Sequence, residues 1–467
     1  MITSNRPNNT LRFWQFGCWN NLNTTIKKDK LKALGCLKDV IKLINMRSSN
    51  TETKPDFLII SGDNYYPNKT KPKDEDDPTQ KKKIIFSEKL RQGFNSLPST
   101  IPIYMILGNH DLETNTEGNL YIRNPGTPET LETPENKDCE IIQLELDTLL
   151  QKENIEYFFF KAKLLNPETL ILMIDTSIYE IDGESSMYLP CYNKFFQNNK
   201  LYKNENMKPF DDIKKLRSYQ LHKIMKAIKT NTNIKHLIVV GHHPIYQLKK
   251  KKDTIPPIKY ISDIHINFVP VLKNIFEILQ DDIKYYYLCS DLHLFQKGKI
   301  QIIIKTLTTK ELAQTQRRSQ TQRRSQTQRK SQTQRKSQTQ RKSQTQQRNS
   351  QTPQRNSQTQ EEYKIMEIQQ YIVGTGGTEL DDKLVDNTSI EINRTYKERN
   401  VIYTFEEEQQ ECGFLECTIT NGQPNFEFIS TLLLTGGKKY KNKTNKHKKK
   451  LRIFKNKTKK HKKKSKI

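Results

Sequence analysis

Asp56-Phe57-Leu58-Ile59-Ile60-Ser61-Gly62-Asp63-Asn64-Tyr65-Tyr66 is the stretch on which the fold turns. Phe57–Ser61 carries no charge and stops abruptly at Gly62-Asp63-Asn64. A continuous apolar run of this length suits a strand buried on both faces, and in an α/β sheet reactive groups collect where such strands end. The pattern recurs: Ile103–Leu107 runs into Gly108-Asn109-His110-Asp111, His236–Val240 into Gly241-His242-His243, and Tyr285–Cys289 into Ser290-Asp291-Leu292-His293. Leu170–Ile174 is a further run of the same kind. Helical spacing separates some of them. Lys30–Met46 places Leu31, Leu34, Leu37, Val40, Ile41 and Leu43 at helical spacing, and Arg217–Lys229 does the same with Leu221, Ile224, Met225 and Ile228. Strands alternating with helices predict an α/β core.

Outward from that core the chain changes character. From about Gln314 a six-residue unit, Ser-Gln-Thr-Gln-Arg-Arg/Lys, repeats and later stretches to seven with Asn. Such a segment has no apolar surface to bury and is expected to be disordered. Strand patterns then resume at Tyr363–Gly377 and in Cys412–Leu434, where Asn421-Gly422 between two alternating runs marks a hairpin. The expected organisation is one discontinuous domain, 11–308 and 363–437, interrupted by the repeat at 309–362 and followed by a disordered Lys-rich tail at 438–467. Charge divides the same way. The net charge is +27, yet Ala313–Gln360 holds 12 Arg or Lys and Lys438–Ile467 holds 17, with no acid in either. The folded remainder is therefore close to neutral, and the basicity speaks of partners, not of the site.

Two-metal phosphoester hydrolysis needs a carboxylate to bridge the ions, O and N ligands on either side, and an acid near the phosphate. The four strand-end motifs supply all of these. Their order, Gly-Asp-x-x-Tyr, Gly-Asn-His-Asp, Val-x-x-His and a final His, resembles the calcineurin-like metallophosphoesterase family in its purple acid phosphatase form, over residues 17 to 293. The resemblance implies a four-layer α/β/β/α sandwich and a phosphoric ester hydrolase, acid phosphatase-like, that cleaves phosphomonoesters with a dinuclear metal centre and a metal-bound hydroxide. It implies Asp63 as the bridging carboxylate, Tyr66 and His293 on one ion, Asn109 and His242 on the other, and His110 at the phosphate or the leaving oxygen. Iron paired with zinc, manganese or a second iron is the implied cofactor.

Two positions depart from the family pattern. Gly17-Cys18-Trp19-Asn20 has a thiol where the family has a carboxylate, and Asp291-Leu292-His293 has a carboxylate where the family has the first imidazole of His-x-His. Both Cys18 and Asp291 can still coordinate, the thiolate favouring zinc or iron over manganese or magnesium. These two positions favour a rival reading, an impaired phosphatase serving as an interaction module; the basic tail hints at a second, a nuclease of the same fold. His243 and Asp111, beside ligand positions, read equally as supporting or functional groups. Trp19 and Tyr65 read as packing groups.

Lys446–Lys450 and Lys457–Lys464 suit nonspecific, salt-sensitive contact with nucleic acid or another acidic surface, without base readout. Seven scattered cysteines show no paired framework, so reduced thiols are expected. The N-terminal residues carry no apolar signal-peptide core and no stretch is long enough to span a membrane, so the expected location is intracellular. The Lys-, Asn- and Ile-rich composition is similar to that of proteins of large DNA viruses of protists, which implies a nuclear or virion-associated setting.

Overall fold

A computed structural model of the chain describes residues 10–20, 31–64, 91–112, 139–149, 152–180, 186–202, 207–250, 258–261, 264–279, 282–306, 362–376, 380–381, 395–398 and 400–435. The repeat at 309–361 and the tail at 438–467 lie outside these residues, as do Tyr65 and Tyr66.

The stretch Phe57–Ser61 is strand β2 of a six-stranded sheet. It lies between β1 (Leu11–Phe16) and β3 (Ile103–Ile106), with β4 (Ile155–Phe158) beyond, and β1 to β4 all run parallel. Helix α1 (Leu31–Ser48) makes the crossover from β1 to β2. The second sheet has eight strands. Its centre is also parallel: β6 (Thr169–Ile174), β7 (His236–Val240), β10 (Lys284–Cys289) and β12 (Glu362–Val373) lie side by side. Antiparallel strands complete it, with β5 (Phe160–Asn166) beside β6 and the order β13 (Thr395–Glu398), β14 (Val401–Gln409), β11 (Phe295–Thr306) on the other side of β12. A small separate sheet joins β8 (Gln247–Lys250) to β9 (Ile258–Ile261).

The first sheet ends in the hairpin anticipated at Asn421-Gly422, β15 (Gly413–Thr420) and β16 (Gln423–Ser430), with β15 laid antiparallel on β1. Asn421 and Gly422 take φ of 51° and 81°, the left-handed pair that a two-residue hairpin turn requires. Residues on both sides of the repeat thus pair in the same sheets. β11 and β12 flank it directly and stay in register to Thr306↔Glu362.

Alternate residues of each central strand face opposite ways. Phe13, Phe57, Ile59 and Ile106 of the first sheet share one buried cluster with Ile171, Met173, Ile238, Val240 and Leu288 of the second, so the sheets pack face to face. Their other faces join a larger cluster with the helices, which include Val40 and Leu43 of α1 and Leu216, Ile224 and Ile228 of α4 (Ile213–Thr230). Helix, sheet, sheet and helix make four layers.

One polar cluster ties the first sheet to α1. Glu416 on β15 accepts Trp14 Nε1–H at 2.8 Å and Arg47 Nη2–H at 2.7 Å, with Arg12 Nε at 3.6 Å. Glu416→Ala leaves an indole N–H and a guanidinium unpaired in a largely buried place, and is expected to cost about 2–3 kcal/mol in urea unfolding. Glu416→Gln keeps an acceptor and should cost less. Equal midpoints for Glu416→Ala and the unaltered chain would deny the cluster any structural weight.

The cysteines do not follow the reduced-thiol expectation. Cys36 in α1 is bonded to Cys412 just before β15, and Cys139, at the start of α2 (Glu140–Leu149), to Cys191 in α3 (Leu189–Asn198). Cα separations of 5.6 and 5.2 Å suit the bonds. Partners 376 and 52 residues apart leave no local trace in a sequence. Cys18, Cys289 and Cys417 are buried thiols outside both bonds. Disulfides persist in oxidising compartments, so the pairs weigh against the intracellular location expected from the N-terminal residues and the lack of a membrane-length stretch. Among the described residues no helix is long and apolar enough to cross a membrane.

Candidate metal centre

The ends of β1, β2, β3, β7 and β10 bring Cys18, Asp63, Asn109, His242 and Asp291 together. Each strand stops in a turn that places one side chain at the sheet end. The backbone there is unusual: Cys18, Asp63 and Asp291 have φ of 50°, 53° and 59°. Left-handed conformation costs an L residue about 1–2 kcal/mol, and among the described residues Asn20, Asn400 and Asn421 are the other non-glycines that adopt it. Asparagine accepts it readily, whereas a buried cysteine does so only where surrounding structure holds it. Glycine is needed beside them. A Cβ on Gly62, itself at φ 87°, would stand 2.6 Å from His242 Nδ1, and one on Gly108 would stand 2.3 Å from the Asp63 nitrogen.

His242 is the hub. Its Nδ1 lies 2.8 Å from the Ser61 carbonyl, which orients the ring and leaves Nε2 facing Asp63 Oδ1 at 3.2 Å, Asn109 Oδ1 at 3.1 Å and Asp291 Oδ1 at 4.0 Å. Burial alone would depress the His242 pKa, but Asp63, then Asp291 and the Ser61 carbonyl, outweigh it and push the group up to about 10. Cys18 Sγ lies 3.7 Å from the other Asp63 oxygen, Oδ2. His110 is half-buried at the start of a short 3-10 turn, its backbone N–H donating to Asp63 Oδ1 at 3.2 Å. His293 is held by Asp381, which accepts its backbone N–H at 3.0 Å, and burial keeps its imidazole below the ordinary value against the pull of Asp381, Asp291 and Asp63. Tyr66, the remaining sequence candidate, lies outside the described residues.

Asp111 turns out to clamp two motifs together. Its carboxylate accepts the backbone N–H of Asn64 at 2.7 Å and of Gly108 at 2.8 Å, and the Asn64 side-chain amide at 2.7 Å. The turns carrying Asp63 and Asn109 are thereby fixed to one another. Behind it Glu145 accepts the Tyr157 hydroxyl at 2.7 Å, and burial followed by the charge of Asp111 lifts the Glu145 carboxyl well above its usual range. Trp19 is fully buried against Phe16 and Phe94, a packing group as expected. Thr176 and Glu180 were not legible in advance. Thr176 Oγ1 accepts the backbone N–H of both His242 and His243 at 3.0 Å, and Glu180 Oε1 stands 2.9 Å from His243 Nε2. Thr176 lies 66 residues before His242 in the chain, and neither it nor Glu180 belongs to a recognisable motif.

The donor set of carboxylates, amide oxygen, imidazoles and thiol, buried and converging, fits divalent or trivalent cations. The family model for calcineurin-like phosphoesterases matches residues 11–257. No curated protein matches the sequence. Among solved structures the chain is similar to a purple acid phosphatase from yellow lupin (Lupinus luteus) seeds at 10% identity, covering 90% of this chain and 52% of that one, with a TM-score of 0.39. The chain thus spans about half the length of the lupin protein. It is also similar to GAP50 of Plasmodium, described as the anchor in the inner membrane complex, at 12% identity over 90% of this chain and 85% of that one, TM-score 0.37. A third is PhoD, at 8% identity over 92% and 70%, TM-score 0.40.

Proposed function

We propose that this chain, which belongs to the calcineurin-like phosphoesterase family, hydrolyses phosphomonoesters with two metal ions held where its strand ends meet. The observation that carries the reading is the orientation of His242: Nδ1 tied to a backbone carbonyl, Nε2 aimed at a carboxylate and an amide oxygen. A metal-ligating imidazole is typically oriented by a hydrogen bond from its other nitrogen. Asp63 would bridge the ions. Cys18 and His293, with Tyr66, would hold one, and Asn109, His242 and Asp291 the other. When bound, the ions would neutralise phosphoryl charge and acidify water. His110, at the half-exposed rim beside Asn109, would give its proton to the leaving oxygen. Asp111 would keep Asp63 and Asn109 in mutual register through the backbone bonds it accepts.

Hydrolysis of an aryl phosphate by the purified chain, supplied in turn with iron, zinc and manganese, tests this reading. Turnover that requires metal is expected. Folded protein that turns over with none of the three metals would sink it and leave the rival that Cys18 and Asp291 favour, a metal-binding interaction module. Cys18 also sets an expectation of its own. A thiolate prefers zinc or iron to manganese, so Cys18→Asp should raise the ratio of manganese-supported to zinc-supported turnover by about tenfold or more. An unchanged ratio would remove Cys18 from the ligand set.

A further inference from the structure

His243 has a place in the site that the family pattern does not give it. One of its ring nitrogens, one of His242 and a carboxylate oxygen of Asp291 all lie within 4.8 Å of one another. The rings of His242 and His243 have centroids 4.7 Å apart and stand at 83°. Two imidazoles bound to one ion through nitrogens about 2.0–2.1 Å away have centroids about 4.5–5 Å apart. We propose that His243 is a further ligand of the second ion, supplying the imidazole that Asp291 replaces. The inference rests on the metal-centre reading above and deepens it.

The surroundings of His243 are those of a ligand. Its Nε2 is 2.9 Å from Glu180, and both side chains are buried. A carboxylate on one imidazole nitrogen fixes the tautomer whose other nitrogen offers a lone pair, the arrangement that supports histidine ligands in metal sites. That other nitrogen, Nδ1, lies 3.3 Å from Thr176 Oγ1. The same hydroxyl oxygen accepts the backbone N–H of His242 and of His243 and so holds the two residues in fixed relation. Gln247 Nε2, 3.4 Å from Asp291 Oδ2, steadies the carboxylate on the opposite side. Ligand atoms on one ion sit about 3–3.4 Å apart, so a shift of about 1.8 Å or less brings a His243 nitrogen into the set. The second ion would then have two carboxylates, one amide oxygen and two imidazoles, regaining the pair of imidazoles that the change at Asp291 took away.

Calorimetric titration of the metal-free full chain with zinc alone, together with cobalt(II) visible absorption, tests the assignment. The unaltered chain is expected to bind two ions. His243→Gln, which keeps a polar group near Thr176, should weaken one of the two sites by about 10–100-fold, change the cobalt spectrum and shrink the zinc-induced rise in Tm measured against the variant's own metal-free Tm. Glu180→Gln should weaken the same site by about tenfold, through the imidazole it orients. Two ions bound by His243→Gln with unaltered affinity and spectrum would overturn the proposal and leave the metal centre standing. An unaltered chain that binds neither zinc nor cobalt would overturn the metal-centre reading itself. Should His243→Gln fail to fold, Glu180→Gln decides: unchanged affinity and spectrum there overturn the ligand role.

Discussion

Asp63→Asn is expected to lower metal-supported aryl phosphate turnover by about 10³-fold or more, ~4 kcal/mol of transition-state stabilisation. Both carboxylate oxygens are engaged: Oδ1 faces His242 Nε2 at 3.2 Å and accepts the His110 N–H at 3.2 Å, while Oδ2 faces the Cys18 thiol at 3.7 Å. An amide keeps the volume and loses the charge that would be shared between two ions. Its N–H₂ would also point at either a backbone donor or the thiol. Because Asp63 already sits at φ 53°, where asparagine is at least as comfortable, the substitution should leave the fold intact. The check is kcat and KM at saturating metal, alongside circular dichroism. Turnover above a tenth of the unaltered rate would remove Asp63 from the centre of the reaction.

Removing the Cys36–Cys412 bond is expected to have the largest effect on stability. The bond closes a span of 376 residues, and the chain-entropy account of cross-links assigns about 4–6 kcal/mol to spans of this order. Cys36→Ala with Cys412→Ala should therefore lower the unfolding free energy of the oxidised protein by about 3–5 kcal/mol, and Tm by many degrees. In dithiothreitol the difference should vanish. Thiol counting in denatured, unreduced protein gives the independent check: three reactive groups, Cys18, Cys289 and Cys417, are expected. Seven would mean that neither bond forms.

The strands that carry the motifs were readable because their apolar runs are buried on both faces and stop at glycine. Phe57–Ser61 and His236–Val240 match to the residue. β1 was not recognised as a strand, and the reason is chemical. Arg12 and Gln15 interrupt its apolar pattern, yet Gln15 is fully buried, its amide nitrogen donating to Ser61 Oγ at 2.5 Å and to the Cys289 carbonyl at 3.2 Å across the two sheets. A polar residue satisfied by distant partners looks like a surface residue in sequence. The edge strand β5 was missed for the opposite reason, since its residues are mostly half-buried and give no continuous run. In the site, Cys18, Asp63, Asn109, His242 and Asp291 stand together at the strand ends, and His110 and His293 are tied to the neighbouring carboxylates Asp63 and Asp381 by backbone bonds. The supports at Thr176 and Glu180 and the disulfides depend on pairings far apart in the chain, and no periodicity encodes those.

The placement of β1 between β2 and β15 bears on how the protein is made. Trp14 and its partner Glu416 are 402 residues apart, so one side of β1 lacks its neighbour strand until about 400 further residues have been synthesised. At about 5–20 residues per second that interval is roughly 20–80 s. During it a strand with open hydrogen-bonding groups and buried-type side chains is available for wrong pairing. The 55 or so residues between β11 and β12 lengthen the wait by several seconds. Nascent chains that stall before Gly413 therefore carry an unfinished sheet edge at β1, a natural target for chaperones during translation.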